Sequence, residues 1–392
     1  MNNAWINGLS PTKIFSILLV PVLLLSFFLL SCDQDSIFYD ISNEPEPRDP
    51  LIPGSPTNMA LVRNRLYVGT RMGGKIFYYT ATTGSGGWNT ISLPTGSLGE
   101  LATDGNDLYV LMFPTGEPLD SSAVRRYNLS TNSWDMYYTI AGYSIQSLFG
   151  VGGKIFAGGR NNTNYQNFGI FYLEPESNSL AAIKYQTSLL VGVAENAEGK
   201  IYFATAGSGI YTFNEETLDT SPVSSTTDAN LAGITSVGGS IVAVSGDGAV
   251  YIDNGVSFSY VTIGVNFTGG MSIWLDRRNL WRPTLLLMGT RGRGTSRTHG
   301  YREMVLNNGR PTFDIRAPGD ETPTSVTNKA KYEASIGTHP VISILQLPDA
   351  ASGGPLNYNN YTMNQDWEPP IFASTAKNGL WSYRNGEWNT EE

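Results

Sequence analysis

The chain has 392 residues, of which 15% are charged, 11% are aromatic and 43 are glycine. Soluble domains usually carry about 25% charged residues, so this composition excludes a coiled coil, a helical bundle or a disordered chain and fits many short, turn-linked strands. The net charge of −9 disfavours nucleic-acid binding, and one cysteine with two histidines (His299 and His339) supplies no disulfide framework, Cys/His zinc site or Cys–His nucleophile. No metal or cofactor is expected.

In chain order, the first element is an apolar run from Ile14 to Ser31, preceded by Lys13 and interrupted only by Pro21. Its length is that of a short membrane anchor. It ends in Leu29-Leu30-Ser31-Cys32, a sequence that resembles the signal of bacterial lipoproteins. The resemblance implies that the Cys32 thiol is acylated, palmitate being a typical chain. It also implies that small Ser31 admits the signal peptidase, so that residues 1–31 are removed. The alternative is an uncleaved anchor carrying an incidental cysteine. Acyl chains contribute about 0.8 kcal/mol per buried methylene, enough for two or three to anchor a protein stably. The expected location is the cell membrane or outer membrane, lipid-anchored, on the periplasmic or surface side. Asp33, just after the cysteine, carries little weight in choosing between membranes.

Residues 32–56 mix Asp33, Asp35, Glu44 and Glu46 with Pro45, Pro47, Pro50, Pro53 and Pro56. Such a segment cannot bury a core and reads as an extended tether, reaching about 80 Å at roughly 3.3 Å per residue. Within it, Ser36-Ile-Phe-Tyr-Asp-Ile41 alternates like a strand suited to covering a sheet edge.

From residue 57 to 392 one pattern recurs. A hydrophobic strand that usually ends in small residues starts at Leu66, Leu108, Ile155, Ile201, Ile241, Leu285 and Ile371. The first six starts are separated by 42, 47, 46, 40 and 44 residues, and the last gap is 86. A short apolar strand precedes each copy, and a glycine turn with an alternating strand usually follows. A weaker fourth strand often carries an aromatic residue: Trp88, Trp134, Phe258, Phe313 or Trp388. Four short strands per roughly 44 residues make a propeller blade. The expectation is an all-β, seven-bladed β-propeller; eight blades follow if the long gap hides a degenerate copy rather than insertions.

Two local patterns carry family resemblances. Gly152-Gly-Lys-Ile-Phe-Ala-Gly-Gly159, with Tyr127-Asn-Leu-Ser-Thr-Asn-Ser-Trp134 one blade earlier, resembles a kelch-type repeat. The stretches from Gly69 to Phe77 and from Ser374 to Trp381 are more similar to the propeller repeats of bacterial sensor proteins. Both imply the propeller fold. Neither implies a function, because propellers host many.

Catalytic signatures are sparse. Ser245-Gly-Asp247-Gly lacks the later glycine and tryptophan of sialidase-type turns and reads as a hairpin turn, as does Asp253-Asn254-Gly255. No catalytic residue is assigned. One constellation stands out: residues 277–316 hold nine arginines against Glu303 and Asp314. Arg291, Arg293, Arg297 and Arg302 form the candidate anion site, because guanidinium forks suit phosphate, sulfate or carboxylate. The competing reading is a set of solvated arginines balancing an acidic ring. This segment is expected to replace the apolar third strand of its blade. A second departure, Pro348 to Pro370, is rich in Gly, Pro, Asn and Tyr, and reads either as a long loop or as a recognition surface.

The resulting expectation is an envelope lipoprotein whose propeller binds or scaffolds an envelope protein or an anionic glycan. The alternative is a glycan-active envelope enzyme, hydrolase or lyase, which would need two facing acids in the funnel. The oligomeric state is not legible in the sequence.

Overall fold

The computed structural model describes residues 52 and 55–391, apart from 72–73, 81–86, 115–120, 175–178, 215–218, 228, 275–283, 292–299, 318–335, 337–338, 348–369, 377–378 and 385–386. These belong to one compact unit, 50–392. Cys32, the apolar run before it and the Ser36–Ile41 stretch lie outside the described residues.

Each recurring sequence unit folds into one four-stranded antiparallel sheet with its strands in chain order. The seven sheets are blades 1 to 7, at 56–92, 97–138, 143–186, 190–222, 231–262, 267–316 and 341–390. The chain is a seven-bladed β-propeller. All seven recurring starts, from Leu66 to Ile371, fall in the second strand of a blade. The 86-residue gap therefore contains insertions, at 317–340 and 347–370, and no eighth blade among the described residues.

The second strands are apolar through their centres because these are buried on both faces. In blade 6, Leu285 and Leu287 pack toward blade 7, while Leu286 and Met288 pack toward blade 5. This is the two-residue period of a strand read from both sides. The core is accordingly divided into seven apolar wedges, one at each seam between neighbouring blades. Each large side chain buried there contributes about 1.5–3 kcal/mol.

The small residues that end the second strands have a defined task. Thr205 and Thr375 donate from Oγ1 to the carbonyls of Gly209 and Gly379, 2.9 Å away in each case. Ser245 Oγ accepts from the Ala249 amide at 2.7 Å. Each closes the turn into the third strand, which places Ser245-Gly-Asp-Gly248 in a hairpin turn, as its sequence reads.

One expectation is corrected. The arginine segment does not replace the third strand of blade 6: Tyr301–Asn307 is that strand, paired with the second from Gly289↔Tyr301 to Leu285↔Val305. Tyr301, Glu303, Met304 and Leu306 occupy its buried positions. The charged Arg302-Glu303 pair within it masked the alternation. Residues 291–300 are the connection between the second and third strands.

Candidate functional site

The innermost strands are Pro56–Val62, Ser97–Thr103, Tyr143–Val151, Leu190–Glu195, Leu231–Val237, Phe267–Trp274 and Val341–Gln346. Together they surround a central channel of about 530 Å³. All seven carry a β-bulge at the same level, opposite the end of the second strand. A bulge bends its strand and re-aims the extra residue. Here the residues just before register resumes are Asn58, Glu100, Gln146, Val191, Ala232, Gly270 and Ile342, and all seven line the channel. The wall is thus polar on blades 1 to 3 and apolar on blades 4 to 7.

The polar arc also stitches the ring. Asn58 donates to the Leu101 carbonyl and accepts from the Leu101 amide, both at 2.7 Å, standing in for a backbone partner on blade 2. Glu100 Oε2 accepts the Leu148 amide of blade 3 at 2.8 Å. Ser147 Oγ donates to the Leu190 carbonyl of blade 4 at 2.7 Å. Where the side chains shrink, backbones meet directly: a Cβ on Gly233 of blade 5 would lie 2.6 Å from the Gly269 Cα of blade 6.

Glu100 is half-buried yet walled by protein. Burial pushes its carboxyl up to about 7, against the opposing pull of the Leu148 amide and the Arg71 charge. It is the one acid among the described residues that line the channel. Sequence reasoning missed it. The available signal was a lone glutamate in an otherwise uncharged inner strand, Ser97-Leu-Gly-Glu-Leu-Ala-Thr103.

Of the four candidate arginines, the structure describes two. Arg291 is exposed at the end of the second strand of blade 6, its amide bonded to the Asn266 carbonyl at 2.8 Å. Its guanidinium reaches toward Gly246 of blade 5. Arg302 sits half-buried opposite Met288, on the side of the sheet that faces blade 5. Both therefore turn to the same seam. Arg293, Arg297 and His299 lie outside the described residues, as does most of the Pro348–Pro370 insertion. Arg316, at the far edge of the same blade, is held by Asp314, with Nε donating to Oδ1 at 2.7 Å. That bond holds the Asp314 carboxyl below its ordinary value. His339 is half-buried just before blade 7.

The turn from Tyr127 to Trp134 is built on Asn128, whose Oδ1 accepts the amides of Ser130 and Thr131 at 2.9 and 3.1 Å. The Tyr127 and Trp134 rings meet edge-on at 5.0 Å. These residues thus have a local structural role. No family model matches the chain, and no curated protein matches it in sequence.

Proposed function

We propose that this protein is a lipid-anchored cell-envelope binding module, acylated at Cys32, that presents recognition segments on a rigid propeller. The observation that carries the reading is where its long connections fall. Segments 275–284, 291–300, 317–340 and 347–370 all belong to blade 6, blade 7 or the link between them, whereas the other blades are joined by shorter turns and loops. Variable segments on a rigid scaffold are the usual carriers of binding function. The arginines at 291, 293, 297 and 302 belong to this region, and they suit an anionic glycan or an acidic protein surface. The enzyme alternative asks for two facing carboxylates about 5–9.5 Å apart. Glu100 alone among the described channel-lining residues is acidic, so binding is the better supported reading.

Two measurements test it. Cells expressing the full chain and fed an alkyne-tagged palmitate should label it, and Cys32→Ala should abolish the label; normal labelling of the variant overturns the anchor. Binding of a sulfated glycan should weaken steeply with added salt and fall in the Arg291→Ala, Arg293→Ala double variant. Lysine replacements should restore only part of it, since an ammonium lacks the bidentate fork. Salt-independent binding that ignores both arginines refutes their role.

A further inference from the structure

Blades diverge outward from the channel, so seams open into clefts between their outer strands. At the seam of blades 1 and 2 this cleft encloses about 500 Å³, within the usual range for small-ligand sites of roughly 300–1,000 Å³. Two bonds between the blades frame it. Arg63 donates from Nη2 to Ser130 Oγ at 3.1 Å, and Trp134 Nε1 donates to the Ser92 carbonyl at 3.0 Å. Arg63 has a φ of 48°, in the left-handed region. The corresponding turns of blades 3 and 5 use Gly152-Gly153 and Gly238-Gly239 there. Blade 1 thus tolerates a disfavoured backbone while placing a long side chain across the cleft edge.

Inside, the rings of Tyr67 and Tyr78 lie 5.6 Å apart, and the Arg65 guanidinium sits 5.5 Å from the Tyr78 ring centre. Tyr127 and Trp134 form the opposite wall. The Arg65 charge pulls the Tyr67 phenol down against the burial that raises it, and the Tyr67, Tyr78 and Tyr127 phenols are close enough to interact electrostatically. Burial raises Tyr67 and Tyr127 above the ordinary phenol value, so both remain hydrogen-bond donors at neutral pH. No acid among the described residues pairs with Arg65. One guanidinium and three phenols therefore converge in a cavity that lacks a counter-charge, in a chain that is acidic overall.

We propose that this cleft binds a carboxylate-bearing sugar, with the carboxylate on Arg65 and the phenols. The ring packs between Tyr78 and Trp134, and its hydroxyls meet Thr90, Ser92 and Asn132. The cavity is too large for a simple anion, and the half-buried aromatic faces match the apolar faces of a pyranose. The cleft lies on blades 1 and 2, so its test is separate from that of the blade 6 arginines.

The test is isothermal titration of the purified full chain, in detergent, with a glucuronate-containing disaccharide, its glucose counterpart, acetate and sulfate. The uronate should bind, the neutral sugar at least about tenfold more weakly, and the simple anions more weakly still. Loss of a charged hydrogen bond in Arg65→Ala should lower uronate affinity about ten- to a hundredfold, and loss of a neutral one in Tyr78→Phe about two- to tenfold. Arg65→Lys should recover part of the loss, and Lys200→Ala, at an exposed lysine of blade 4, should leave it unchanged. Arg65 is exposed, so unchanged melting of its variants checks that the ring is intact. The proposal is overturned if the uronate does not bind, if neutral sugar or simple anions bind as tightly, or if Arg65→Ala leaves affinity intact.

Discussion

At the scale of single residues, Glu100 joins structure to pH. Its carboxyl titrates near 7 in the folded protein, because the channel wall removes water from the charged form. In the unfolded chain it titrates at the ordinary carboxylate value, about 4.3. Between those two values the folded state holds a proton that the unfolded state has released, so stability falls as pH rises through the interval. Above about pH 8 the effect is complete. The total is on the order of 4 kcal/mol at most, since a tenfold difference in proton affinity between the two states is worth about 1.36 kcal/mol. Glu100→Gln keeps an acceptor for the Leu148 amide and removes the titration. Chemical denaturation at pH 5 and pH 8 should show the native chain losing stability relative to this variant. Parallel pH profiles for the two proteins would locate the titration elsewhere. Asn58 and Gln146, the neighbouring bulge residues, are already amides, so the variant would extend their pattern around the polar arc.

At the scale of elements, the repeated bulges and the inner glycines have one cause: seven strands must approach a common axis. The sequence displayed the apolar second strands, whose continuous burial leaves a pattern nearly free of polar residues. It displayed the third strands wherever alternation was unbroken, and obscured the one in blade 6 where Arg302-Glu303 interrupts it. It did not display the bulges, because an extra residue in a short inner strand leaves no compositional mark. Glu100 therefore stayed hidden: its significance depends on being re-aimed into the channel. The cleft of blades 1 and 2 was equally illegible, since Arg65 and Tyr78 come from paired strands of blade 1 and Trp134 joins them only across the seam. The inner glycines give the sharpest test of this geometry. Gly233→Ala should destabilise the ring by about 1–3 kcal/mol or more, because the added carbon meets the Gly269 backbone, which cannot rotate away as a side chain can. Gly105, with a φ of 89° and open space around its missing Cβ, is the control. Alanine there should cost only the backbone term, about 1–2 kcal/mol. Equal and small losses in the melting of both variants would show that blades 5 and 6 can separate without penalty.

At the scale of the whole molecule, the question is how the ring closes. Every blade is made from one contiguous stretch of chain, so among the described residues no strand from the N-terminal side enters blade 7. Closure rests instead on the seam of blades 7 and 1. Phe372 packs there against Tyr79 and Trp88, with ring centres 5.4 and 5.8 Å apart. Ser374 Oγ donates to the Thr57 carbonyl at 2.8 Å, the Met59 amide donates to Ser343 Oγ at 3.3 Å, and Trp88 Nε1 donates to Glu391 Oε2 at 2.8 Å. Unlike the other six seams, this one has no backbone connection to hold its two sides together. It should be the first to open. Phe156 offers a matched comparison, being equally buried in the second strand of blade 3 and packed on Phe203 and Phe213 across the seam with blade 4. Truncation of either phenylalanine to alanine should cost about 3–5 kcal/mol. The difference lies in where the loss appears. Hydrogen exchange in Phe372→Ala should accelerate first in blades 1 and 7, with blades 3 to 5 still protected. In Phe156→Ala the seam is tethered by the chain itself, and exchange should rise across the ring together. If both variants open uniformly, the terminal seam is as firmly held as the covalently linked ones, and side-chain packing and hydrogen bonds close the propeller without a covalent link.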